Sequence, residues 1–316
     1  MERLRKIPEN REALFALTFA AIIFGANAPI TKWTLQSGSI ETLAFLRFFI
    51  AFLFITILFK PNFKVHKKDI PLMLFCGIIG ISLHISLYYT GLSLTSAVNA
   101  AIIASSIPIL TLFFSKFFLN EKISSKFLLG GITGLFGVFF IIIRPILESG
   151  ISLHFLGNIL LFGSAFSFIL YEIISKKLTK RNYHTKTVAS YSYLIGALTF
   201  FPFFMIDITS NGINFINPKF LMGLSFIILF PSLIALPLWH WAVSKLEVSR
   251  VGFFLYLDPV IASVVAVFLL GEIITSSMLI GALFIFIGLY IAENTIHFPH
   301  FHLYHAQIRR KRKGES

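Results

Sequence analysis

An acid and a proline, Asp258 and Pro259, interrupt the apolar run FLYLDPVIASVV of residues 254–265. Asp258 lies eight residues past Arg250, about 12 Å along a helix that rises 1.5 Å per residue. Holding an ionised acid at that depth in a bilayer costs roughly 2.5–3.5 kcal/mol, so Asp258 is expected to face a cavity or a partner, or to carry a proton. Two chemistries are then open to it: binding a polar substrate, and loading and releasing a proton. A structural hydrogen bond to a neighbouring helix is the alternative. Pro259 has no backbone N–H and crowds the carbonyl four residues back, so a kink is expected there.

Other polar groups recur inside apolar runs. His84 and Tyr88 join Gly77, Gly80 and Gly91 at three- and four-residue spacing, which puts small and polar groups on one helix face that should look inward. Asn27 precedes Pro29 by two residues, Asn99 shares a face with Ser106, and Tyr171 shares one with Ser164 and Ser167. Each can bind a substrate group or simply hydrogen-bond across helices. Tyr88 and Trp239 can line a common pocket or belong to interfacial aromatic belts. Arg47 and Lys32 are expected to snorkel towards the membrane surface. Glu121 and Glu272 are expected to favour the N-termini of the helices that follow them. The chemistry this set offers is binding rather than bond-making. There is no HExxH, no GxSxG and no pair of carboxylates, so an intramembrane enzyme is disfavoured and no cofactor is expected. His297, His300, His302 and His305 in the tail lack paired cysteines or a fixed helical spacing, so no metal site is expected either.

The elements that position these residues follow from composition. The chain has 316 residues, 56% of them hydrophobic and 13% charged, a balance that excludes an ordinary soluble domain. A bilayer crossing needs about 20 apolar residues in a helix, and runs such as FLFITILF are apolar at every position, unlike the alternating strands of a membrane barrel. The first run reads as a helix rather than a signal peptide, and the single Cys76 excludes a disulfide framework. Ten crossings are expected, near 13–35, 41–59, 70–90, 96–118, 126–144, 153–175, 187–206, 220–243, 250–270 and 277–295. The net charge of +13 comes from clusters between these runs, and 23 of the 27 Lys and Arg fall on one side of such a topology. That bias orients the chain with both termini cytoplasmic and argues against nucleic acid as a partner. The basic end of the tail is expected to rest on anionic lipid.

Shifted by 151 residues, the chain aligns with itself. Pro108 meets Pro259, Glu121 meets Glu272, Gly130 meets Gly281 and Gly137 meets Gly288. Five crossings separate the copies, an odd number, so the second copy is inverted. Inverted repeats can exchange conformations and expose a central site to each side in turn. Asp258 meets Ile107, so the repeat requires the proline but not the acid.

The segments FGANAPITKWTL and LAFLRFFIAFLF, and the two copies of a proline helix followed by NE or GE and a glycine-spaced helix, resemble the EamA transporters of the drug/metabolite transporter superfamily over residues 10 to 295. The resemblance implies an all-α integral membrane protein with ten transmembrane helices as two inverted five-helix repeats, moving amino acids or drug-like compounds outward. The expected organisation is a cytoplasmic segment 1–12, repeats 13–146 and 147–296, and a basic cytoplasmic tail 297–316, in the inner membrane. Its expected partners are a small-molecule substrate and lipids, and its expected state is a monomer or homodimer. The candidate site is Asn27, His84, Tyr88, Asn99, Tyr171, Trp239 and Asp258, with Asp258 also coupling protons. The main alternative is an exchanger of phosphorylated or nucleotide-linked metabolites, which needs several cavity cations where only Arg47 and Lys32 are available. A channel suits the lone acid and the repeat less well.

Overall fold

The structure, a computed structural model, describes residues 11–107, 110, 125–149, 152–212, 217–235, 238 and 257–293. Among them there is no strand, and the long apolar runs have become helices: α1 (Arg11–Leu35), α2 (Ile40–Phe59), α3 (Lys67–Leu94), α4 (Ala97–Ala104), α5 (Ser125–Ser149), α6 (Leu153–Lys180), α7 (Thr185–Asn211), α8 (Pro218–Ala235), α9 (Leu257–Leu270) and α10 (Ser276–Glu293). Six of these, α1, α2, α3, α6, α7 and α8, are long and apolar enough to cross a membrane. The kink expected at Pro108 lies outside the described residues. Pro259 is the third described residue of α9, and the residues before Leu257, where a kink at Pro259 would act, lie outside the described set.

Local chemistry sets several of the starts. Ser39, Ser96 and Ser152 accept the N–H three residues on, at 3.1, 3.0 and 3.4 Å, and Asn217 accepts that of Lys219; such caps satisfy donors that a helix leaves free. Two helices carry a wide π-helical stretch, Ile78–Leu83 in α3 and Ile228–Ala235 in α8. In α3 the loosened turn is answered from outside, because Ser167 of α6 donates to the Ile79 carbonyl at 2.7 Å.

Large apolar side chains point outward along the helices: Phe15, Ile57 and Phe268 are 75%, 66% and 87% exposed. So much apolar surface on the outside of a helical assembly faces lipid, not water. Inside, α2 runs along α7, α5 along α10 and α4 beside α9, while α1 packs on α8 and α9 and α3 packs on α6. The α5–α10 contact is backbone on backbone. A Cβ on Gly137 would stand 2.6 Å from the Gly281 carbonyl oxygen, and one on Gly288 2.5 Å from that of Gly130. Position 137 therefore meets 281 while 130 meets 288, so the two helices are antiparallel. The α2–α7 pair is antiparallel as well. Ser39 and Thr42 at the start of α2 donate to Asp207 near the end of α7, and Phe48, further along α2, lies 5.6 Å from the ring of Tyr193, near the start of α7.

Candidate functional site

Between α1, α2, α3, α4, α6 and the first turn of α9 lies a cavity of about 320 Å³. Gly25 brings two of its walls together: a Cβ there would stand 2.9 Å from the Asp258 carbonyl oxygen, so α1 and α9 meet at the point where Asp258 enters the cavity. Asn27, two residues on, faces the same space. Among the described residues no side chain pairs with the Asp258 carboxylate, and the buried side-chain oxygen of Asn27 has no hydrogen-bond partner. No described side chain takes up the bonding capacity of either group, whereas buried polar groups are nearly always satisfied.

On the α3 side the wall is aromatic. His84 lies 6.0 Å from Tyr88 and 5.1 Å from Phe168 between ring centroids, and its Nδ1 is within 2.8 Å of Ser164 Oγ. The inward face expected of α3 is there for His84 and Tyr88. The glycines of that face serve packing instead: Gly77 lies against Ile195, Gly80 against Tyr171, and Gly91 against Gly157.

Arg47 corrects the sequence reading. Rather than reaching for the membrane surface it lines the cavity, where Nη1 donates to the Tyr89 hydroxyl at 2.9 Å and the guanidinium lies 5.4 Å from the Phe48 ring centroid. A guanidinium carries five N–H donors, and Tyr89 is its one hydrogen-bond partner among the described residues. The cavity thus holds a cation and an acid with unused bonding capacity. Ile107, which the 151-residue shift places opposite Asp258, lines the same cavity.

Two of the expected site residues stand elsewhere. Asn99 turns away from the cavity, its Nδ2 donating to Asn158 Oδ1 at 3.2 Å, in a buried cluster where Thr95 donates to the same oxygen at 2.8 Å. Tyr171 packs on Gly80 and lies 5.9 Å from the Phe168 ring; it is in contact with the cavity wall but does not line the cavity. In each case a neighbouring helix fills the space the side chain enters. Trp239 lies outside the described residues, as do Glu121 and the histidines of the tail. Lys32 does not snorkel: it is ion-paired with Glu272 at 2.8 Å. Glu272 in turn accepts the N–H groups of Ala97 and Val98 at 2.7 and 3.2 Å, so it caps α4 and not the helix that follows it.

A helical membrane assembly around a partly polar cavity suits a carrier. Residues 11–143 and 155–293 match the EamA-like transporter family, and the chain belongs to it. It is 26% identical to the uncharacterized transporter YyaM of Bacillus subtilis over 88% of this chain and 92% of that one. It is also 26% identical to an uncharacterized transporter of Archaeoglobus fulgidus, over 87% and 96%. With a protein of Salmonella typhimurium named a probable amino-acid metabolite efflux pump it shares 24% identity over 89% of this chain and 95% of that one. A solved crystal structure superposes with a TM-score of 0.60 at 18% identity, covering 92% of this chain and 98% of the other, a likeness of fold alone. The protein is a multi-pass membrane transporter.

Proposed function

We propose that the chain is a secondary active exporter of small zwitterionic metabolites such as amino acids, working by alternating access of two inverted five-helix repeats, 13–146 and 147–296. The observation that carries this reading is the pairing of Arg47 and Asp258 in one cavity, each with bonding capacity left over. Arg47 suits a substrate carboxylate, because its planar fork matches two oxygens. Asp258 suits an ammonium group, Asn27 offers a further acceptor, and the His84–Tyr88–Phe168 wall takes an apolar side chain. The Salmonella relative's name points the same way. An exchanger of phosphorylated metabolites fits less well, since Lys32 is held by Glu272 and an unpaired acid in the cavity repels a phosphate.

The repeat reading is supported by the contacts themselves. The 151-residue shift carries 130 to 281 and 137 to 288, so it turns the Gly137–Gly281 contact into Gly288–Gly130, the other contact seen. It also carries the π-helical stretch of α3 onto that of α8. The antiparallel α2–α7 and α5–α10 pairs suit an inverted arrangement, and the family matches the chain in two successive stretches.

Asp258 neutralises either a proton or the ammonium of the substrate, never both, which couples export to proton entry by mass action at one carboxylate. The inner membrane, with both termini cytoplasmic, is its proposed location, as a monomer or homodimer. Reconstituted Asp258→Asn protein tests the coupling. It keeps the shape of the side chain but can neither titrate nor neutralise an ammonium, so flux driven by a pH gradient should fall to background while substrate exchange persists only at raised substrate concentration and no longer varies with pH. Unchanged pH-driven flux would remove Asp258 from the coupling; exchange that keeps its wild-type substrate dependence would remove it from ammonium binding.

A further inference from the structure

At the end of the assembly where α1, α4 and α9 meet, one carboxylate holds three elements. Glu272, in the segment just after α9, accepts Lys32 Nζ of α1 at 2.8 Å and the N–H groups of Ala97 and Val98 at the start of α4. Lys32 also donates to the Thr95 carbonyl at 2.5 Å. The two side chains are mostly enclosed, 21% and 10% exposed. Beneath them Leu92, Ala97, Val98 and Ala266 are buried in one apolar cluster that also contains Ala28, Ala100 and Ile103, three residues of the cavity lining. That cluster joins the cavity lining to Ala97 and Val98, whose N–H groups Glu272 accepts.

This joint is not uniformly apolar. Thr95, Asn99 and Asn158 form a buried polar cluster beside it, and the Asn99 side-chain oxygen has no partner among the described residues. A joint that stays shut gains nothing from an unsatisfied buried amide. A joint that opens needs polar groups to line the passage.

We infer that Glu272 is the latch of the gate at this end of the cavity, closed while it bridges Lys32 and the start of α4, and that Thr95, Asn99 and Asn158 line the passage when it releases. The inference rests on the alternating-access reading above and names the control of that same site; on the proposed topology this is the outer gate. A carboxylate shared between a lysine and two backbone donors is a discrete contact, made or broken as a unit, which is what a two-state gate requires.

Thiol labelling tests it without a known substrate. In a Cys76→Ala background, Ala104→Cys places a thiol at an exposed position of the cavity wall, and a membrane-impermeant maleimide is added to right-side-out or inverted vesicles. Glu272→Gln and Lys32→Gln should each raise labelling at least fivefold from the face that carries the latch. Unchanged labelling in both variants, with the protein monodisperse, overturns the gate. Should either variant fail to fold, Lys32→Cys with Glu272→Cys, bridged by a reducible bifunctional thiol reagent, decides it. Bridging should stop exchange of radiolabelled amino acids, the solutes of the reading above, and reduction should restore it, whereas equal exchange in both states makes the joint a fixed scaffold. Labelling that responds to the latch in a protein that moves no solute overturns the transport reading and leaves the gate standing.

Discussion

At the residue scale, the division of labour between Arg47 and Asp258 yields a specificity prediction. Arg47→Lys keeps the charge but loses the planar fork and the geometry that Tyr89 holds. Competition by an amino acid should weaken about tenfold, equivalent to about 1.4 kcal/mol, while competition by the methyl ester of the same amino acid changes little. Equal losses for both, measured as half-inhibitory concentrations against exchange, would mean that Arg47 holds the cavity and not the carboxylate. Part of the cavity lining was legible in the sequence: Asp258, Asn27, His84 and Tyr88 are polar groups in apolar helices, and a bilayer forces such groups inward. Arg47 was misjudged because its depth permits a snorkelling side chain, and the hydroxyl that draws it inward belongs to another helix. Asn99 and Tyr171 meet neighbouring helices instead of the cavity, because periodicity does not say whether a face meets a void or a neighbour. Glu272 went wrong for a related reason, since the helix end it caps is far from it in sequence.

At the element scale, the runs of apolar residues announce the helices, and the described ones begin within a few residues of where hydropathy puts them, apart from α1, α5 and α9, whose earlier residues lie outside the described set. The π-helical stretches were not legible. No residue type marks them, and in α3 the acceptor freed by the wide turn is satisfied by Ser167 from α6, a tertiary fact. The α5–α10 seam gives the test at this scale. Gly137→Val or Gly281→Val drives a branched side chain into a backbone carbonyl or Ile141, an overpacking worth about 1–3 kcal/mol. Each should lower the thermal midpoint of the detergent-solubilised protein by several degrees, whereas Ile132→Ala, at an exposed position of α5, should leave it within a degree. Midpoints that fall equally for all three would show that the seam is not held by close approach.

At the scale of the whole molecule, the lopsided distribution of Lys and Arg fixes the proposed orientation. Reporters fused to either end should be active only in the cytoplasm; one end outside would undo both the topology and the inverted pairing that depends on it. The seam between α5 and α10 also has a consequence for how the protein is made. The glycines of α5 leave the ribosome roughly ten seconds before those of α10 at ordinary rates of synthesis. Through that interval α5 stands in the bilayer with a groove cut to receive a backbone and no backbone to receive. A second chain that has already made its α10 offers that groove an antiparallel partner with the same glycines, Gly281 and Gly288. Swapped pairing between newly made copies is the error such a delay would favour, and crowding of ribosomes on one message would favour it most.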